Sequence, residues 1–135
     1  MKPAPTSNAP AAALTLGVGA RRGVTPDEVL GLIGEALAAA GPGVVAVLAT
    51  VDAKAAEPGI LAAAERLGLP VRAYPAVELA GQGVPNPSAA VRDTAGTGSV
   101  AEAAALLAAG PGGVLVVPKR KAPRVTVAIA RNGTV

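Results

Sequence analysis

Apolar residues cluster along this chain in two rhythms. The run at 44–50 is continuously apolar up to Thr50, as expected of a strand buried on both faces. Residues 14–18 and 70–74 read as two shorter strands, and 113–117 as another apolar one. Between the first two runs, Val29, Leu30, Ile33 and Leu37 follow helical spacing. Thr25 stands where an N-cap belongs, Pro26 at the first helical position, and Glu28 where a capping box places its acid. Gly41-Pro42-Gly43 stops that helix. A second helix is predicted from about residue 60 to 67, ended by Gly68, and one helical turn at 76–80. Residues 81–88 read as a Pro- and Gly-broken loop and 88–94 as a short helix. An alanine-rich helix is predicted over 100–109, with Ser99 as cap and Glu102 completing a second capping box. Residues 118–123 read as a basic turn before a last strand at 124–130.

Strands alternating with helices call for crossover connections and a mostly parallel sheet covered on both faces. The last two strands are joined by too few residues for a parallel crossover, so that pair is antiparallel. The fold class is α/β, with a mixed, mostly parallel sheet of about five strands ending in an antiparallel hairpin. A length of 135 residues suits one domain, read here as 14–135 after a Pro- and Ala-rich leader at 1–13 expected to be disordered. That leader is a poor signal peptide. The longest apolar region, 36–51, is broken at 41–43 and too short for a membrane span, so no membrane partner is expected.

Composition removes several chemistries. The chain has no His and no Cys, which excludes Cys/His metal sites and Ser–His or Cys–His catalysis; neither metal nor cofactor is expected. Without Cys there is no disulfide framework, and a cytoplasmic location is expected. With no Phe, no Trp and one Tyr, aromatic stacking on nucleic-acid bases is not available. A net charge of +3 suits a local anion site rather than a face that tracks phosphates.

Charged residues are only 16% of the chain, yet Asp52, Lys54 and Glu57 share one turn after the buried run. In open α/β sheets ligands bind at the carboxyl ends of strands. Asp52 and Glu57 are therefore candidates for base and acid, with Lys54 tuning them or holding an anion; the plain alternative is a helix cap with a surface ion pair. Gly17-Val18-Gly19-Ala20-Arg21-Arg22-Gly23 follows the first strand. Gly19 lets backbone approach a ligand, and Arg21 and Arg22 suit carboxylates; equally, they are solvated arginines on a tight turn. Gly98 and Ser99 open a helix start able to cradle an anion, or an ordinary capped helix. Lys119 and Lys121 lie in a basic segment that is either a solvated charge run or a wall for an acidic ligand. Asn86 lies in a rigid Val84-Pro85-Asn86-Pro87-Ser88 loop.

These segments in this order resemble the CobE family and the carboxy-terminal domain of CbiG, both of cobalamin biosynthesis. The resemblance is carried by the arginine turn, the stretch from Ala49 through Asp52, Lys54 and Glu57 to Gly59, the Asn86 loop, Gly98-Ser99-Val100-Ala101-Glu102-Ala103-Ala104-Ala105 and Val117-Pro118-Lys119-Arg120-Lys121. It runs over about 14–130. It implies a three-layer α/β/α fold. CbiG-type proteins open the δ-lactone of cobalt-precorrin-5A and release acetaldehyde, whereas CobE-like proteins stand alone in the aerobic route. This chain is read as lacking the amino-terminal part of CbiG, and Ala20 stands where some members carry a Cys. The resemblance implies an acidic precorrin tetrapyrrole as ligand at the ring-contraction and lactone-opening stage, and other corrin-pathway enzymes as partners. Hydrolase, carrier and scaffold remain the alternatives. In the hydrolase reading Asp52 or Glu57 activates water, with Lys54 or Arg21 on the oxyanion.

Overall fold

A computed structural model of the chain describes residues 13–82 and 97–132, with backbone alone for 97–99. The leader, the Asn86 loop and the helix expected at 88–94 lie outside the described residues. The elements run β1 (Ala13–Ala20), α1 (Pro26–Ala40), β2 (Val44–Val51), a 3-10 turn (Asp52–Lys54), α2 (Pro58–Leu67), β3 (Val71–Tyr74), α3 (Ala76–Gly81), α4 (Thr97–Ala109), β4 (Val114–Ala122) and β5 (Val125–Arg131).

The five strands form one sheet in the order β3-β2-β1-β5-β4. β1 pairs parallel with β2 and β2 with β3, while β5 runs antiparallel to both β1 and β4. The most apolar strands take the central places. In β5, Val125 to Ala130 are all buried, as a strand covered on both faces requires. Side-chain alternation then sorts the two faces. Leu14, Leu16, Val18, Val125, Val127 and Ile129 pack with Val29, Ile33, Ile60 and Ala63 under α1 and α2. The intervening positions are small. Ala49 packs with Val100, Ala103 and Ala104, and Ala130 with Ala105 and Ala109, beneath α4. The result is a three-layer α/β/α arrangement.

Capping at α1 follows its sequence signature. The Glu28 amide donates to Thr25 Oγ1 at 3.1 Å, and the Thr25 amide to Glu28 Oε1 at 2.9 Å. Glu28 also meets a partner the local sequence does not reveal. Arg124 grips its carboxylate with two nitrogens, Nη2 to Oε1 at 2.9 Å and Nε to Oε2 at 3.1 Å. The Arg124 hydrogen bond, aided by the Thr25 amide, holds the Glu28 carboxyl below its ordinary value. This pair ties α1 to the β4–β5 hairpin.

Three expectations are corrected. Ser99 is not the N-cap of the fourth helix, which starts at Thr97 and carries Ser99 inside it. With the helix starting at Thr97, Glu102 lies beyond the third helical position that a capping box uses; it is fully buried, and its Oε2 accepts the Lys119 amide at 2.9 Å. That amide belongs to β4, whose register slips between Val117 and Arg120. The basic segment is likewise no turn. β4 continues to Ala122, and only Pro123 and Arg124 make the hairpin turn. An edge strand tolerates charge because its side chains are half in water, and the bulge breaks the apolar alternation that marks a strand in sequence.

α4 lies on β1 with almost no spacer. A Cβ at Gly17 would overlap the carbonyl oxygen of Ala101, and Thr15 Oγ1 donates to the carbonyl of Ala105 at 2.8 Å. Gly17→Ala must therefore lift α4, and is expected to cost about 3 kcal/mol or more, read as a lower urea midpoint. Glu28 makes a second, pH-dependent contribution. Because its folded value is depressed, the stability it adds is complete above the unfolded value of about 4.3 and is lost as pH falls through the folded value. Comparing urea midpoints of the wild type and Arg124→Met across this range should show the two converging on acidification; a constant difference would disprove the linkage.

Candidate functional site

Strand directions decide which loops meet. β1, β2 and β3 are parallel, and two antiparallel pairings return β4 to the same direction. The carboxyl ends of all four therefore open on one edge, together with the start of β5. The arginine turn after β1, the acidic turn after β2 and the hairpin at 123–124 share that edge.

The arginine turn is shaped by Gly23, whose φ of 85° favours glycine, and is closed by the Val24 amide donating to the Arg21 carbonyl at 3.2 Å. The Arg21 amide donates to the Arg124 carbonyl at 3.0 Å, extending the β1–β5 pairing to its last rung. The side chains of Arg21 and Arg22 are exposed and have no ion pair among the described residues. After β2, the chain winds through the 3-10 turn, with the Ala55 amide on the Asp52 carbonyl at 3.1 Å and the Glu57 amide on the Lys54 carbonyl at 3.0 Å. Asp52 is exposed and Lys54 half-buried, and they do not pair with each other.

Glu57 joins the two turns. It stands at the N-cap of α2, yet its side chain does not cap the helix. Its Oε2 instead accepts the Gly23 amide at 2.9 Å, across 34 positions of sequence. Beside it, a Cβ at Gly59 would overlap the carbonyl oxygen of Val24. The start of α2 is thus pressed directly against the arginine turn. Arg21, Arg22, Asp52, Lys54 and Glu57 are brought to one corner of the molecule.

The other candidates are spread further along the edge. Gly19 lies in β1, opposite Thr126 of β5, and Lys121 of β4 faces Thr126 from the other side. β4 is three strand spacings from β2, about 14 Å. Gly98 and Ser99 lie in the first turn of α4. Lys119 joins Ala39, Val116, Val117, Pro118 and Arg120 around a cavity of about 290 Å³. Asn86 lies outside the described residues. Another cavity, of about 320 Å³, is lined by Gln82, Leu106, Leu107 and 110–113, at the opposite edge of the sheet. Among the described residues no helix is long and apolar enough to cross a membrane.

Sequence reasoning missed the buried role of Glu102 and the pairing of Arg124. A signal for Glu102 was present: it is the one acid in a long alanine-rich segment, where a cap and a buried acceptor look alike.

The family described as cobalamin synthesis G C-terminus matches residues 14–130. Protein CobE of Sinorhizobium sp. is 41% identical over 127 residues, which are 91% of this chain and 82% of that protein. The crystal structure of CobE, a protein from the cobalamin (vitamin B12) biosynthetic pathway, superposes with a TM-score of 0.75 at 32% identity, covering 89% of this chain and 90% of that one. Cobalamin biosynthesis protein chiG from Agrobacterium tumefaciens gives 0.69 at 33% identity over 90% and 99% of the two chains. A putative cobalamin biosynthesis protein G homolog from Sulfolobus solfataricus shares the fold, with a TM-score of 0.69 at 20% identity, and this chain spans 37% of its length. The strand order, the two turns fastened at one corner and the match over nearly the whole chain lead to one assignment: the chain belongs to the CobE and CbiG carboxy-terminal family of cobalamin biosynthesis proteins.

Proposed function

We propose that this protein binds an acidic precorrin at the carboxyl edge of its sheet, at the ring-contraction and lactone-opening stage of corrin synthesis. The observation that carries this reading is the Glu57–Gly23 hydrogen bond, which holds the arginine turn and the acidic turn together. A precorrin carries several acetate and propionate side chains. Arg21 and Arg22, exposed and without an ion pair among the described residues, offer two planar forks that carboxylates fit. Membership of the family supports the pathway, and the geometry supports the corner.

The hydrolase version of this reading falls to Asp52. One oxygen of Glu57 is already engaged by the Gly23 amide, which suits a fastening role better than proton transfer. Asp52 is exposed and has no ion pair among the described residues, so its carboxylate is open to a water molecule. Lys54, half-buried two residues on, supplies positive charge for a developing oxyanion. The carrier version uses the same corner without chemistry and hands the intermediate to other enzymes of the pathway.

Titration with a corrinoid, followed by its absorbance, tests binding. Affinity should fall with added salt, and Arg21→Ala with Arg22→Ala should weaken it by at least about tenfold, since a hydrogen bond to a charged group is worth ~1.5–3 kcal/mol. An affinity indifferent to both substitutions would remove the arginines from the site. For catalysis, Asp52→Asn should abolish lactone opening while leaving ligand affinity within a few-fold. Absence of turnover in the wild type, with its pathway partners present, would leave the carrier version standing.

A further inference from the structure

Three residues form a row across β1, β5 and β4 on the face that α4 covers. Gly19 is opposite Thr126, and Thr126 is opposite Lys121. Residues directly opposite in an antiparallel pair share a face. The face is fixed by alternation: Val125, Val127 and Ile129 belong to the core under α1 and α2, whereas Ala130 packs with Ala105 and Ala109 of α4. Thr126 therefore points to the α4 side, with Ala128 and Ala130. Gly17 lies under Ala101, so Gly19, two residues nearer the carboxyl edge, lies beneath the first turn of α4.

Thr126 is 2% exposed, and its hydroxyl has no hydrogen-bond partner among the described residues. The other buried threonines differ. Thr15 Oγ1 donates to the Ala105 carbonyl, and Thr50 Oγ1 to the Val18 carbonyl at 2.7 Å. A buried polar group left unpaired is costly, and such groups in native proteins call for an explanation. Its neighbours in the row are a residue without a side chain and an exposed lysine that makes no ion pair among the described residues. The amino end of α4 adds the positive end of a helix dipole.

The β4 bulge determines which basic side chain joins this row. Between Val117 and Arg120, which pair with Ile129 and Val127, two β4 residues stand against one of β5. The Lys119 amide within this bulge donates to the buried Glu102 carboxylate. Without the extra residue, Arg120 rather than Lys121 would face α4, because a one-residue slip turns every side chain over. Glu102 is thus a positioning residue for Lys121.

We propose that Thr126 and Lys121 form a second carboxylate-binding subsite, for another acidic side chain of the ligand whose first is held by the arginines. This rests on the tetrapyrrole reading above for the identity of the ligand, but the subsite itself stands on the row. Gly19 lies two residues before Arg21 along β1, about 7 Å, and Thr126 and Lys121 lie one and two strand spacings to the side of it, about 5 and 10 Å, a spread that the several acidic side chains of a polycarboxylate macrocycle can span.

Two probes separate the subsite from the tetrapyrrole reading. Sodium propionate, titrated while backbone amide resonances are followed by NMR, should give saturable shifts at Thr126 and Lys121 that Thr126→Val abolishes. Uroporphyrin, an eight-carboxylate tetrapyrrole, should bind about tenfold more weakly to Thr126→Val and to Lys121→Ala, and within twofold of wild type to Arg120→Ala. Thr126→Val should melt no lower than wild type, because it removes an unpaired hydroxyl and keeps the shape. No propionate response at these amides, a response that survives Thr126→Val, a marked loss of stability in that variant, or undiminished uroporphyrin binding by it would each overturn the subsite. A propionate response lost in Thr126→Val, in a protein that ignores uroporphyrin, would uphold the subsite and refute the tetrapyrrole reading.

Discussion

The close seating of α4 on the sheet governs the rest of this structure. With Gly17 beneath the Ala101 carbonyl, helix and strand approach nearly backbone to backbone. That distance can be filled only by small side chains, which is why the layer between them is built from Ala49, Ala101, Ala104, Ala105 and Ala130. The other layer, under α1 and α2, is filled by Leu, Ile and Val. A chain with almost no aromatic residues obtains a tight core by bringing backbones together instead of filling space with large side chains.

The same closeness reappears at the carboxyl edge. Gly59 meets the Val24 carbonyl, and Glu57 reaches the Gly23 amide, so the first turn of α2 is fastened to the turn after β1. Each such contact leaves exposed charges on a rigid base. Arg21, Arg22 and Asp52 stand on turns whose backbones are tied down by hydrogen bonds to other elements or within the turn. Side chains on a held backbone lose less freedom when a ligand arrives.

β4 shows how one buried charge organises an edge. Glu102 comes from α4 and meets a bulge amide that the ladder does not use, and the strand beyond the bulge turns its basic residues over. Arg124, two residues past the strand end, is drawn to Glu28 of α1. Of the basic residues in this region, Arg124 is therefore engaged in structure, whereas Arg120 and Lys121 are exposed on opposite faces of the strand. A run of like charges in sequence divides here by direction.

Much of this was legible in the residues themselves. The continuous apolar run at 44–49 marks a buried strand, because a strand covered on both faces has no polar side to show. Thr25, Pro26 and Glu28 mark the start of α1, because capping depends on neighbours three residues apart. The short link between the last two strands requires antiparallel pairing. The motif order was enough to place the chain in its family. What tertiary structure alone decided are the partners distant in sequence: Glu57 with Gly23, Glu28 with Arg124, Glu102 with Lys119, and the row of Gly19, Thr126 and Lys121. Glu102 read as a cap because a local pattern cannot distinguish an acid that bonds its own helix from one that sinks into the sheet below. The second half of β4 read as a turn because a bulge hides its alternation. Periodicity records which way a side chain points from its own element, whereas the group that it meets depends on how the elements are stacked.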